Sequence, residues 1–458
     1  MWHGRTTEIR SQYVVQAARL PAGEPPAPRK LSTWSFKKLQ LTSSSPILCV
    51  FLGAARFSEP PQTILGREDC PMLHRSAAIV IVLALYISLP FECRAAESVD
   101  SLIQAVVKQR SGTPEGRAAW NRLAAAGPGA LPAILKALNT ADTVTANWLR
   151  TAFDRIFEQA LRADKGRPID TDVLLAFARE PRNSGRARRL ALEVVERLQP
   201  GTSARLYPGW LDDPEFRYEA VEVALAKADA LVKTNKEMAR VVYRKAFAAV
   251  RDLQQARKVA AALEKTGVHV SVAKHLGFLT DWYVIGPFDA NGMKGFKTVY
   301  PPERGIDLKV ELEGKGKKVR WIRFRAPEPP PSAGGPHVAL VNLIVSLGNA
   351  DDAVAYAYTE INVARAQDVE FRGAADDNFT VWVNGKREFG FEEYRNGVRL
   401  DRHRFPVKLR AGKNTVLVKI CQFPATSEPN WEFLLRIVDK MSKGIDFTTA
   451  LPEVKHGK

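Results

Sequence analysis

The stretch Asp376-Asp377-Asn378-Phe379-Thr380-Val381-Trp382-Val383-Asn384-Gly385-Lys386-Arg387-Glu388-Phe389 decides how the second half of the chain folds. Phe379 to Val383 is rich in β-branched and aromatic residues, and Lys386 to Phe389 continues after only two intervening positions. Those two positions are Asn384-Gly385. A two-residue hairpin needs φ > 0 at both, which Asn tolerates and Gly adopts freely. The spacing therefore predicts two antiparallel strands. Downstream, Val416, Val418 and Ile420 alternate after Gly412-Lys413-Asn414, and Trp431, Phe433, Leu435 and Ile437 alternate again. Upstream, Trp282-Tyr283-Val284-Ile285 ends at Gly286-Pro287, Trp321 and Phe324 follow, and Ala353 to Val363 and Val369 to Arg372 are strand-like. Pro327 to Pro336 is a loop by composition. Many short strands separated by turns favour an antiparallel sandwich over a parallel α/β sheet.

Before Gly277 the apolar period is helical. Leu102, Ile103, Val106 and Val107 recur at three and four, as do Leu131, Ile134, Leu135 and Leu138. Leu190, Leu192, Val194, Val195 and Leu198 repeat the pattern, and so do Val221, Val223, Ala224, Ala228 and Leu231. Each such helix has an apolar face that must be covered. Gly127-Pro128-Gly129, Pro181 to Gly185 and Pro200-Gly201 mark the breaks. Asp213-Pro214 supplies a cap and a first-turn proline.

The front of the chain has a different character. Residues 1–71 show scattered Pro, Ser and Arg without periodicity, and are expected to be a disordered or non-native extension. From Met72, a short basic start (His74, Arg75) leads into the apolar run Ser76 to Leu89, Pro90 and then Cys93-Arg94-Ala95. That layout predicts a secretory signal peptide over 72–95. A membrane anchor and a buried helix are the alternatives, but a spanning helix needs about 20 apolar residues and this run is shorter. The expected domains are then 96–270 helical, 279–440 β-sandwich and 441–458 a C-terminal tail. Of four cysteines, only Cys421 lies beyond the signal, so an exported mature chain has no intramolecular disulfide.

With 458 residues, 45% hydrophobic and 26% charged, the chain is long enough for two or three globular cores. The net charge of +17 raises the odds of an anionic partner. Yet the basic residues are dispersed. The densest clusters are Arg186, Arg188, Arg189 and Lys315, Lys317, Lys318, Arg320. No specific nucleic-acid partner is expected from so short a pattern.

Two resemblances follow from these residues. Pro132 and Pro208, in Leu131 to Leu138 and Leu206 to Leu211, lie 76 apart, which is two periods near those of paired-helix repeats. Together with Leu211 to Leu225, the helical half resembles HEAT repeats, which implies an α-solenoid and a protein-binding surface. The aspartate pair, the Val-Trp-Val-Asn-Gly hairpin, the Leu409, Gly412, Asn414 spacing and the Trp431, Phe433 strand resemble galactose-binding-like jelly rolls and PA14-type sandwich modules. The entry Asp281 to Phe288 is similar to that of exported proteins from planctomycete-type bacteria. The fold class expected is thus a multidomain α plus β protein, with a HEAT-like solenoid followed by an antiparallel jelly roll.

The second resemblance implies carbohydrate binding, with Asp376 and Asp377 holding a Ca²⁺ that bridges to a sugar, since Ca²⁺ takes six to eight oxygens. The competing account of Asp376-Asp377-Asn378 is a strand-entry turn, because Asp and Asn bond their own backbone. Trp382 and Trp431 are candidates to stack on sugar rings or, alternatively, core residues. Asn384 is demanded by the turn itself. No zinc-protease histidine pair, nucleophile elbow or phosphate loop is present, so no cofactor other than Ca²⁺ and no catalytic residue is nominated. The expected function is an exported, non-catalytic binding protein of the periplasm or exterior, with a glycan or an envelope protein as partner. An envelope interaction or structural protein, and a glycan-processing enzyme whose carboxylates meet only in space, are the alternatives. Signal cleavage predicts that the native protein begins near Ala96 and has no membrane span thereafter. Terminal sequencing by mass spectrometry tests this, and peptides recovered from residues 1–71 would overturn it.

Overall fold

The computed structural model describes residues 97–109, 113–163, 169–333, 338–394, 397–424 and 430–453. The proposed signal peptide and everything before it lie outside these residues. Contacts divide the described chain at Ala126/Gly127 into a short unit and a large one.

The short unit is a pair of helices, α1 (Val99–Gln109) and α2 (Pro114–Ala124). Thr113 caps α2 by accepting the Gly116 N–H at 3.1 Å. Leu102, Ile103, Val106, Ala119 and Leu123 are buried, so three of the four apolar residues of the first helical period are core.

The large unit opens with helices α3 (Leu131–Leu138), α4 (Thr143–Arg162), α5 (Thr171–Arg179), α6 (Gly185–Leu198) and α7 (Thr202–Leu206). It continues with α8 (Arg217–Leu231), α9 (Lys236–Ala249), α10 (Leu253–Lys265) and the single turn α11 (Val272–His275). Gly201, at φ 83°, stops α6 where Pro200-Gly201 predicted a break. Asp142 and Asp252 cap α4 and α10 from Thr145 N and Gln255 N, at 2.9 and 2.8 Å. Consecutive helices pack in pairs, α5 on α6 and α8 on α9. The two segments spaced 76 apart are not equivalent. Pro132 starts the two-turn α3, whereas Pro208 lies in a 3-10 turn that follows α7.

The basic cluster of α6 is spent inside the helical layer. Arg188 is 1% exposed. It donates to Asp213 at 2.6 and 3.1 Å and to the Ala178 carbonyl at 2.7 Å, with Phe216 under its guanidinium. Arg189 pairs with Glu215 and with Glu219 at 2.8 Å, and Arg186 reaches the Leu138 carbonyl at 2.9 Å. Asp213 also accepts the Glu215 and Phe216 N–H groups, so the predicted cap holds the entry to α8 and neutralises Arg188 together.

After α11 the chain becomes β. The strands are β1 (Asp281–Asp289), β2 (Glu311–Glu313), β3 (Lys318–Arg320), β4 (Ile322–Arg325), β5 (Val341–Asn342), β6 (Ala353–Val363) and β7 (Gln367–Asp376). They continue as β8 (Phe379–Val383), β9 (Lys386–Phe391), β10 (His403–Leu409), β11 (Gly412–Gln422), β12 (Glu432–Val438) and β13 (Thr448–Thr449). One antiparallel sheet runs β4-β1-β6-β11-β8-β9 with β13 added on β6, a second runs β10-β7-β12-β5, and β2 and β3 form a small hairpin. The chain is an α+β protein, helices first and antiparallel sheets after. Asn384 and Gly385 have φ of 53° and 79° and Val383 pairs with Lys386, as the hairpin spacing predicted. The assigned tail needs correction: Thr448 and Thr449 pair with Asn362 and Ile361, and Ile445 is a buried member of the core. Residues to about 449 therefore belong to the β region.

Alternate residues of both large sheets meet in one core, among them Trp282, Val381 and Val418 from one and Phe371, Phe405 and Phe433 from the other. Trp282 meets Phe433 edge-on at 5.2 Å. The same core continues into Val221, Tyr243, Val259 and Leu263 of α8 to α10, so these helices and the sheets are one body.

The seam is drawn by backbone and by charge. Gly277 O accepts the Ile437 N–H at 2.8 Å and Leu279 N–H donates to Leu435 O at 3.0 Å, lacing the helix–sheet connection along β12. Gly277 (φ 78°) and Gly444 meet there. A Cβ on Gly277 would lie 2.2 Å from Ile437 O, and one on Gly444 2.5 Å from Gly277 N. Arg436, 3% exposed, donates to Asp401 Oδ1 at 2.7 Å and to the Leu276 carbonyl at 3.4 Å. Arg372 adds 3.2 Å to Asp401 Oδ2 and 2.7 Å to Ser442 Oγ.

Burial alone would raise the Asp401 carboxyl, but the two guanidiniums hold it below its ordinary value of about 3.8. A carboxylate depressed on folding stabilises fully above its unfolded pKa and ceases to do so as pH falls through the folded one. Arg436→Met should leave Asp401 with Arg372 as its remaining buried partner and cost up to about 3 kcal/mol in chemical denaturation. Asp401→Asn should flatten the fall in stability below pH about 3.8; an unchanged acid limb would show that the pair contributes nothing.

Candidate functional site

The five residues nominated from sequence separate into two groups. Asp376 ends β7 opposite Glu432, the first residue of β12, and Trp431 precedes it, so Asp376, Asp377 and Trp431 gather at one end of the smaller sheet. Trp382 and Asn384 belong to the far end of β8, four and six residues beyond Asn378. At about 3.3 Å per strand residue, no single sugar ring touches both groups.

At the first end the side chains serve the fold. Asp377 is 3% exposed. Its Oδ2 accepts the Phe423 N–H at 2.7 Å, and its own N–H donates to the Cys421 carbonyl at 3.1 Å. It clasps the start of β8 to the end of β11. Trp431 is wholly buried in the shared core. This corrects the stacking expectation for Trp431, since a buried indole presents no face to a ligand. Glu432, beside Asn342 at 3.4 Å, has its carboxyl raised by burial. Among the described residues no group of three or more His, Cys, Asp or Glu side chains is placed to share a metal ion. With Asp377 enclosed and one oxygen already bonded, the aspartate pair does not fit a Ca²⁺ that bridges to a sugar.

At the second end, Asn384 Nδ2 donates to Asn414 Oδ1 at 2.8 Å and Asn384 Oδ1 accepts the Thr415 N–H at 3.1 Å. Asn414, fully buried, turns its amide onto the Arg410 and Gly412 carbonyls at 2.8 and 3.1 Å. The Leu409, Gly412, Asn414 spacing is thus a turn-building device that grips the neighbouring hairpin. Trp382 is partly buried against the outer face of the larger sheet.

That outer face hides a cation the sequence reading passed over. Lys419 is 1% exposed. Its ammonium donates to the Thr298 carbonyl at 2.6 Å and to Glu303 at 2.8 Å, and Tyr356 OH donates to the same carboxylate. Burial, then the Glu303 charge, push the Tyr356 phenol up, and burial pushes the adjacent Cys421 thiol up to about 12. The cluster pins the turn α12 (Pro301–Arg304) over the sheet, and Cys421 is inert at neutral pH.

Open surfaces with mixed chemistry are found where helices meet sheets. One cleft of about 500 Å³ is lined by Lys274 and Phe278 from the helix–sheet connection, Arg325 and Glu328 from the end of β4 and beyond, and Asp446 and Phe447 before β13. Glu328 caps α11, accepting from Ser271 Oγ at 2.7 Å and Ala273 N at 2.9 Å. Lys274, Arg325 and Asp446 are exposed, and Phe447 is partly buried beside them. Volume and lining suit a small polar ligand with one apolar face. These residues come from three distant stretches, one of them in the supposed tail, so only the folded chain joins them.

No protein-family model matches the chain, and no curated protein matches it at a significant level. The fold defines it as an α+β protein with a cleft where the helices meet the sheets.

Asp377→Ala removes the acceptor of the partly buried Phe423 N–H and should cost about 1–2 kcal/mol in urea unfolding. Trp382→Ala should cost less than Trp431→Ala, for which about 3–5 kcal/mol is expected. Equal losses at the two tryptophans would contradict the burial described.

Proposed function

We propose that this protein is an exported, non-catalytic binding protein whose HEAT-like helical layer and jelly-roll-type sandwich together present a saccharide site. The observation that carries the reading is the junctional cleft. An aromatic side chain, Phe447, stands beside charged and hydroxyl groups from Lys274, Arg325, Asp446, Thr280 and Thr449. Sugars pair apolar ring faces with hydroxyl rims, and that lining offers a partner for each. Export rests on the layout of residues 72–95, and the carbohydrate class on the likeness of the β region to galactose-binding-like modules. The location of the site shifts from the aspartate pair to the junction, because Asp377 and Trp431 are enclosed.

The test is glycan-array binding by the purified chain, with Ca²⁺ and with chelator. Saturable binding that persists in chelator, is lost in Phe447→Ala and Arg325→Ala, and releases no product is the expected outcome. Arg325 is 79% exposed in its side chain, so its variant tests binding with the fold intact. Absence of binding in both conditions sinks the saccharide reading and favours a protein partner. Release of sugar would favour a glycan-processing enzyme.

A further inference from the structure

A second cleft at the junction has a different chemistry. It measures about 580 Å³ and is walled by Arg217 at the start of α8, Lys245 on α9, Arg251 between α9 and α10, and Lys443 after β12. Asp212 and Asp439 also line it. Four cations thus face two carboxylates, which offset part of the charge from a distance, acting on Arg251, but close no ion pair with any of the four. Asp439 Oδ1 accepts the Met441 and Lys443 backbone N–H groups at 2.8 and 2.9 Å. Arg217, 9% exposed, donates to the Leu211 and Asp212 carbonyls at 3.2 and 3.1 Å. Arg251 donates from Nη1 to the Ala248 and Val250 carbonyls at 2.8 and 2.6 Å, while its buried Nε has no hydrogen-bond partner. Among the described residues, none of the four cations has a carboxylate within salt-bridge distance.

Two other buried guanidiniums are matched by carboxylates: Arg188 by Asp213 and Arg436 by Asp401. Partly desolvated cations without a counter-charge are costly, and an oxyanion in the cleft would relieve that cost. Two neighbours register the local positive field. Burial, then the Arg217 charge, lower Arg251 to about 10, against the opposing pull of Asp439 and Asp212. His275 has its Nε2 at 3.0 Å from the Val250 carbonyl, and it is held below its usual value by burial with Arg251 and Lys443 adding to the effect.

We propose that the cleft between Arg217, Lys245, Arg251 and Lys443 is a binding site for an oxyanion carried on a small molecule. The shared chemistry is a phosphate, sulfate or carboxylate group gripped by guanidinium and ammonium donors. It is independent of the saccharide site, and either can fail alone.

The experiment is titration of the full chain with inorganic phosphate, sulfate and acetate at constant ionic strength, read by calorimetry and thermal shift. The comparison is Lys245→Ala/Lys443→Ala, whose ammonium groups are exposed and make no ion pair in the described fold. The expected result is saturable binding of at least one anion, weakened about tenfold or more in the double variant with an unchanged circular dichroism spectrum. Arg251→Lys, which keeps charge and removes the fork, should weaken phosphate and sulfate more than acetate if the natural group is tetrahedral. Acetate alone saturating assigns a carboxylate. Titrations that saturate for none of the three, or equally for wild type and double variant, overturn the proposal.

Discussion

Arg436 is the constraint on which the rest of the large unit depends. A guanidinium sealed between a helical layer and a sheet demands a carboxylate, and Asp401 is brought to it from the loop before β10. Arg372, one strand away, shares that carboxylate and reaches Ser442 in the turn after β12. The Leu276 carbonyl at the end of the helices completes the set. Buried ion pairs add little net stability against apolar packing, but they are intolerant of misplacement. Their effect here is register: helices, β7, β12 and the loop carrying Asp401 are compatible with one arrangement only.

The sequence carried the local rules well and the long-range ones poorly. Asn384-Gly385 was legible because a two-residue turn leaves few alternatives, and the helix breaks were legible because Gly and Pro act within a few residues. Strand alternation at Trp431, Phe433, Leu435 and Ile437 was legible as a period. What that period could not give was which face is covered, and Trp431 is enclosed because a second sheet and three helices share its core. Asp377 carried the right chemistry for a ligand, but it is enclosed and one of its oxygens is bonded to a backbone N–H 46 residues away. The cleft residues near 274, 325 and 447 have no local signature, since each is an ordinary surface residue until the chain brings them together.

Charge shows the same distinction. The net +17 points outward only in part. One of the two dense basic clusters, Arg186 to Arg189, is consumed in tying α6 to α8 and to the turn after α3, and Lys419 is buried beneath a turn. Net positive charge gathers where α8, the α9–α10 connection and the post-β12 turn converge, at residues well separated along the chain.

The close approach of Gly277 and Gly444 bears on inheritance. A β module that ended at a flexible linker could be moved between proteins as a cassette. Here the linker is itself laced along β12, and two glycines without room for a methyl group meet at the crossing. Any exchange that brought in a new partner for the sheets would also have to bring glycine at both positions and a carbonyl for Arg436. The helices and the sandwich are therefore expected to travel together through descent, lost or duplicated as a whole.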